Sequence, residues 1–255
     1  RQVNTLIGTK GVGLTSGYLY PGATYPYGMV QFTPSYFSKR SGFVINQLSG
    51  GGCEHMGNFP TFPVKGKLKM SPDNILNYRI NISEEKGHAG YYEAMVQEDI
   101  KAKLTVTERT GMASYEYPAD QQYGTVIIGG GISATPIEQA AIVITAPNKC
   151  EGYAEGGNFC GLRTPYKVYF VAEFDTDALE SGTWKRDELK PNTTFAEGEY
   201  SGVYFTFDVN KKKNIQYKIG VSYVSVENAR ENLKAENTGW DFLQIQNQAE
   251  SKWNH

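Results

Sequence analysis

Apolar and polar residues alternate with a period of two through most of this chain, the signature of strands whose two faces meet different surroundings. The alternation is cleanest over residues 101–108, where Ala102, Leu104 and Val106 interleave with Lys101, Lys103 and Thr105. A turn at Thr110-Gly111 followed by residues 112–117 predicts a hairpin. Further runs rich in aromatic and β-branched residues occupy 91–97, 125–128, 140–145, 166–174, 202–209 and 215–224, separated by Gly, Pro, Asn and Asp clusters. Val203, Phe205 and Phe207 share one face, which predicts a half-buried strand. Near the start, Pro21-Gly22 suits a type II turn with Gly22 at positive φ; Met29, Gln31 and Thr33 then point opposite to Val30 and Phe32.

The period changes only near the end. Ser225 is a suitable N-cap for a helix through Leu233, with Val226, Ala229 and Leu233 at helical spacing. A second helix is expected after Thr238-Gly239, carrying Trp240, Phe242 or Leu243, and Trp253. No Gly or Pro stop signal follows it, so this helix is expected to continue in the natural protein. The expected fold is mainly β: a large, supersandwich-like antiparallel β-sandwich over residues 1–224, then a helical linker beginning in 225–255.

Composition agrees, with 18 Tyr, 12 Phe and 28 Gly favouring strands and tight turns. A net charge of -2 with interspersed signs offers no field for a phosphate backbone, so no nucleic-acid partner is expected. The apolar runs at 140–144 and 168–172 fall far short of the roughly 20 residues of a membrane span. The chain begins without Met or a charged-then-apolar leader, so any signal peptide is expected to have been removed. Three cysteines allow at most one disulfide. Cys150 and Cys160 flank Glu155-Gly156-Gly157-Asn158, read as a hairpin tip, which makes them the candidate pair if the compartment is oxidising; Cys53 reads as a small filler.

The best functional candidate is the loop Gly50-Gly51-Gly52-Cys53-Glu54-His55-Met56-Gly57-Asn58-Phe59-Pro60. Its glycines permit close backbone approach, Glu54, His55 and Asn58 supply polar reach, and Met56 or Phe59 offers an apolar platform. The bland reading is a glycine-rich connection with its polar groups in water. It is not a phosphate cradle, because no Lys-Ser/Thr end follows. Glu108-Arg109, in an alternating strand, and Glu173 read as structural charges, and Glu84-Glu85-Lys86 as a solvated turn. The Lys211-Lys212-Lys213 run reads as a solvated hairpin tip, His88 and His255 as surface groups, and Trp184 as a possible sugar stacker.

Segments spread along the chain, in order, carry a resemblance: 3–9, the Tyr20-Pro21-Gly22 to Pro34 tract with Tyr25-Pro26-Tyr27-Gly28-Met29, the loop 48–60, Thr107-Glu108-Arg109-Thr110-Gly111, 168–174, and 222–229. Together they resemble the amino-terminal domain of glycoside hydrolase family 92, the calcium-dependent exo-α-mannosidases. The resemblance implies a β-sandwich joined through a helical linker to an (α/α) barrel that supplies the general acid, the base and most calcium ligands. That barrel is not within residues 1–255, so the chain is expected to hold no catalytic residue and no metal, and to be inactive alone. Inverting hydrolysis needs two carboxylates about 6.5–9.5 Å apart, and no pair here stands out.

The implied partners are the protein's own C-terminal barrel and a mannose-containing glycan, with an α-1,2 linkage and N-glycan processing as the expected specificity. The implied location is periplasmic or extracellular. In the family the matching loop shapes the subsite beyond the scissile bond, which makes Glu54, His55, Met56, Asn58 and Phe59 the expected substrate-binding residues. One departure concerns a Ser-His-X-His tract of many members, where this chain has Val44-Ile45-Asn46-Gln47. Gln47 still forms hydrogen bonds but does not titrate near neutrality, and linkage specificity is the property this touches. The alternative is a free-standing carbohydrate-binding sandwich.

Overall fold

The computed structural model describes residues 3–9, 19–35, 42–48, 50–73 and 81–254. His255 lies outside them. In chain order the strands are β1 (Ala23–Thr24), β2 (Gln31–Pro34), β3 (Phe43–Val44), β4 (Thr61–Lys65), β5 (Ile82–His88), β6 (Tyr91–Val96), β7 (Ile100–Val106), β8 (Thr110–Glu116) and β9 (Tyr123–Gly129). They continue as β10 (Ile137–Ala146), β11 (Lys149–Phe159), β12 (Leu162–Phe174), β13 (Glu180–Lys185), β14 (Glu188–Pro191), β15 (Phe195–Glu197), β16 (Ser201–Asp208) and β17 (Asn214–Ser222). Helices α1 (Val226–Glu236) and α2 (Phe242–Trp253) follow.

Two antiparallel sheets result, an eight-stranded one ordered β1-β2-β3-β4-β9-β16-β13-β14 and a nine-stranded one ordered β15-β10-β11-β12-β17-β8-β7-β6-β5. They form the expected sandwich. Phe174 of β12 meets Phe205 and Phe207 of β16 at 5.0 Å, and Phe43 of β3 meets Tyr92 and Tyr115 at 6.3 Å, so aromatic rings bridge the two layers.

Several local expectations are corrected. The β7–β8 hairpin exists, but its tip is Thr107-Glu108-Arg109, and Thr110-Gly111 lies inside β8. Gly111 is there because a Cβ would meet Ile45 Cδ1 at 2.7 Å and Phe32 Cδ1 at 2.8 Å across the sandwich. Gly22 does not take positive φ; its missing side chain lets Thr33 approach, since a Cβ would lie 2.2 Å from that of Thr33. Strand β16 is buried on both faces, since Tyr204 and Thr206 are covered as well as Val203, Phe205 and Phe207. Glu84-Glu85-Lys86 is part of β5 rather than a turn. The Lys211–Lys213 segment joins strands of different sheets rather than capping a hairpin, and Lys212 pairs with Asp175 at 2.7 Å. Trp184 is fully buried and so presents no face to a sugar. His88 stacks on Tyr91 at 4.8 Å and faces Glu250 at 3.5 Å rather than standing alone.

The helices cover the outer face of the nine-stranded sheet. Ser225 caps α1 as expected, its hydroxyl accepting from Asn228 N at 3.1 Å, and Ala229 and Leu233 pack on Val171 of β12. Gly220 of β17 makes that approach possible, since a Cβ there would lie 2.5 Å from Ala229 O. At the end of α1, Glu236 accepts from Thr107 Oγ1 (2.6 Å) and Arg109 N (2.8 Å) and pairs with the Arg109 side chain, so one carboxylate pins the β7–β8 tip. Glu173 is likewise structural, paired with Lys149 at 3.0 Å. Asp241 caps α2, which leaves Trp240 outside the helix, 4.4 Å from the buried Lys218 ammonium. Helix α2 crosses β6–β8, where Gly90 admits Ala249: a Cβ would approach it to 2.7 Å.

Candidate functional site

The loop that follows β3 is built around Asn46. Its Oδ1 accepts from Gly57 N (3.2 Å) and Asn58 N (2.8 Å), and its Nδ2 donates to Asn58 Oδ1 (3.1 Å) and to Tyr223 Oη (3.4 Å). One side chain therefore folds the segment back on itself. The backbone is strained where it returns, with Met56 at φ +60° and Phe59 at φ +54° beside Gly57 at φ +79°. Non-glycine residues hold such angles only where surrounding contacts enforce them, and they concentrate at functional surfaces.

The second constraint is covalent. Cys53 is bonded to Cys160, 107 residues away, with Cα atoms 5.5 Å apart. This corrects the expected Cys150–Cys160 pair. The β11–β12 hairpin turns at Cys160-Gly161 rather than at Glu155–Asn158, so Cys150 lies opposite Ala172 and is buried as a free thiol. Burial pushes its pKa up, aided by Glu151, and this keeps it protonated. Two further ties reach the same neighbourhood: His55 Nδ1 lies 3.2 Å from Asn158 O, and Ala134 N donates to Met56 O at 2.8 Å.

Each sequence-predicted residue has a definite place. Glu54 is half-buried and lines a shallow cleft with Gly52, Ala134, Pro136, Asn158 and Gly161. His55 is buried, its ring edge-on to Phe159 and Tyr166 at 5.5 Å. Met56 is half-buried, with its sulfur 3.6 Å from Tyr223 Oη. Asn58 is fully buried beneath the loop, and Phe59 is a core residue packed on Phe170 at 4.2 Å, so its ring does not face the surface. The cleft thus receives Glu54 from this set, Met56 lies beside Tyr223, and His55, Asn58 and Phe59 form the support below.

Burial raises the pKa of Tyr166, with the Ser133 and Asn58 side chains opposing it, and burial likewise raises that of Tyr223, opposed by Asn46. Tyr20 is pushed up by burial and then by the Glu54 charge. All three phenols are neutral hydrogen-bonding groups at physiological pH. The loop contains one carboxylate, Glu54, so it offers sugar-type hydrogen bonding and apolar contact rather than an acid–base pair. The sequence reading missed Asn46, Tyr223 and the role of Cys53. Asn shortly after a strand and ahead of a glycine-rich turn is a usable signal for the first; the other two are recognisable only once distant strands meet.

Comparison with known proteins shows the family of the chain. The glycosyl hydrolase family 92 N-terminal domain matches residues 2–222. A protein of Arthroderma benhamiae described as an uncharacterized secreted glycosidase is 25% identical over 292 residues, covering 99% of this chain and 37% of its own length. The family GH92 alpha-mannosidase BT3965 from Bacteroides thetaiotaomicron superposes with a TM-score of 0.83 at 25% identity, covering 98% of this chain and 37% of that one. The GH92 glycosyl hydrolase ccman5 has the same fold, with a TM-score of 0.84 at 22% identity over 99% of this chain and 36% of its own. The chain spans little more than a third of the length of each relative. By the match over almost its entire sandwich, the chain belongs to glycosyl hydrolase family 92, as the N-terminal domain.

Proposed function

We propose that this domain serves an exo-acting α-mannosidase, specific for terminal α-1,2-linked mannose in glycan and N-glycan processing, in which a following (α/α) barrel performs the chemistry. The domain packs on that barrel and its loop forms part of the active-site rim, with Glu54 hydrogen-bonding hydroxyls of the sugar beyond the scissile bond. Met56 borders that contact, and His55, Asn58 and Phe59 hold the loop in position. The observation that carries this reading is the rigid presentation of Glu54: its loop is folded by Asn46 and bonded through Cys53 to the β11–β12 tip. Pre-organisation of this kind suits a subsite that recognises substrate without reacting with it.

Calcium belongs to this reading only through the longer enzyme. Its ligands are proposed to come mainly from the barrel; among the described residues no three His, Cys, Asp or Glu side chains gather as a metal site, and no step here runs through the ion. A periplasmic or extracellular location is proposed with the same enzyme. It is supported by the disulfide, which persists in oxidising compartments, and among the described residues no helix is long and apolar enough to cross a membrane.

The experiment is hydrolysis of α-1,2-, α-1,3- and α-1,6-mannobiosides, with calcium, by the full-length gene product, by its Glu54→Ala variant and by residues 1–255 alone. The expected result is activity in the long protein, greatest on the α-1,2 isomer, a KM about tenfold higher for Glu54→Ala from loss of a charge-assisted hydrogen bond, and none in residues 1–255. An unchanged KM removes the loop from the rim. Hydrolysis by residues 1–255 overturns the assignment of chemistry to the barrel, and sugar binding by a gene product that never hydrolyses favours a carbohydrate-binding module.

A further inference from the structure

We infer that the turn at Tyr25–Gly28 is an interdomain anchor, with Tyr27 as the side chain that seats in the part of the protein following α2. This rests on the reading above that a further domain follows.

Tyr27 is fully exposed and holds φ +56°. A left-handed backbone costs an aromatic residue about 1 kcal/mol or more, and an aromatic ring in water contributes nothing to this domain. Yet the turn is firmly built. Gly28 N donates to Tyr25 O at 3.0 Å and Met29 N to Glu108 O at 2.7 Å, and a Cβ at Gly28 would lie 3.1 Å from Glu108 O. Pro26 restricts the backbone on the other side. Glu108 belongs to the tip that Glu236 of α1 pins through Arg109, so the turn is tied to the start of the linker.

The route of the chain identifies the occupant. At the end of α2, Trp253 Nε1 donates to Thr24 O at 2.8 Å, which sets the last helical turn against β1, close in sequence to Tyr27. Residues that continue past α2 therefore leave the domain beside this turn. Met29 in the same turn and Trp253 at the end of α2 are 38% and 46% exposed and so leave apolar surface uncovered. The curated relative extends well beyond the matched region, which is 37% of it. An exposed tyrosine on a firmly held turn is the composition of an interface anchor, and tethering through α2 gives the following segment a high effective concentration there.

The test uses the full-length gene product carrying Tyr27→Asn, which tolerates the left-handed backbone, with Tyr27→Phe as the ring-preserving control. Limited proteolysis between α1 and α2 and thermal unfolding are followed, with mass in solution by light scattering. The expected result is cleavage about tenfold faster or more in Tyr27→Asn, one unfolding transition splitting into two, wild-type behaviour in Tyr27→Phe, and no change in mass. Unaltered proteolysis with a single transition overturns the inference. So does a change in mass alone, which would assign the turn to a second copy, and so does a coding sequence that ends near residue 255. Mannobioside hydrolysis by the wild type is recorded in parallel: its absence removes the proposed activity and leaves the docking readouts intact.

Discussion

Cys53 and Cys160 join a glycine-rich loop to a hairpin tip across 107 residues of sequence, with Cα atoms 5.5 Å apart. A cross-link that closes so long a loop restricts the unfolded chain strongly. The loop-entropy account gives about 4–5 kcal/mol for a loop near 100 residues, and measured values run lower. Cys160→Ser is therefore expected to lose about 2–5 kcal/mol in urea unfolding, and reductant to lower the wild type to the same midpoint while leaving the variant unmoved. Thiol titration gives a second check. Within residues 1–255 the native fold should show no reactive thiol and the denatured chain one, from the buried Cys150. Two reactive thiols at the surface would contradict the pairing.

Asn46 carries the noncovalent half of the same loop. Asn46→Ala leaves the amides of Gly57 and Asn58 without the acceptor they now share and strips Asn58 Oδ1 of its 3.1 Å donor. Buried polar groups left without partners cost about 1–3 kcal/mol each, so with three of them a loss of at least about 3 kcal/mol is expected. Asn46→Asp keeps the acceptor but sets two oxygens against each other, and its stability should fall between the two. Differential scanning calorimetry ranks the three proteins, and equal melting temperatures would show that the loop is held elsewhere.

Strand existence was legible because period-two patterning reports burial directly, and the cap at Ser225 because it is a local hydrogen bond. Glycine was the main source of error. Gly22, Gly111 and Gly157 invite a turn reading, yet Gly22 and Gly111 are needed where another chain segment passes close by. Gly157 sits at a register shift inside β11, where a Cβ would lie 2.1 Å from Thr164 O. Sequence does not distinguish these two uses of a missing side chain. Residues of the candidate loop were legible as glycine-rich and polar, but the groups that orient it, Cys160, Asn158, Ala134 and Tyr223, come from strands and connections far along the chain. Burial of Phe59 against Phe170 follows from the same long-range folding.

Two glycines near the helices provide an internal contrast. At Gly220 an added Cβ would lie 2.5 Å from Ala229 O and 2.9 Å from Leu233 Cβ, so α1 must move off the sheet. Gly220→Ala should destabilise by about 1–3 kcal/mol, the usual cost of overpacking. At Gly239, between the helices, nothing lies within 4 Å. Gly239→Ala should be neutral or stabilise by up to about 1 kcal/mol through the unfolded chain. Urea midpoints of the pair test this, and similar losses at both sites would mean that helix docking does not depend on the Gly220 contact.

Glu93 predicts part of the acid response. Burial pushes its pKa up, but the Tyr91 hydroxyl at 2.6 Å, Lys86 at 3.3 Å and Lys101 at 3.4 Å outweigh burial and hold the carboxyl below its usual range. A carboxylate depressed in the folded state binds its proton more weakly there than in the unfolded chain. Its stabilising contribution is therefore complete above the unfolded value, about 4.3, and disappears as pH falls through the lower folded value. Glu93→Gln resembles the protonated form at every pH. The stability difference between wild type and Glu93→Gln should be greatest near neutrality and shrink toward zero as the medium becomes strongly acidic, read from urea unfolding across the acid range. A difference that stays constant with pH would mean that the substitution acts through packing, and the three partners would then contribute no net charge stabilisation to the β5–β7 edge.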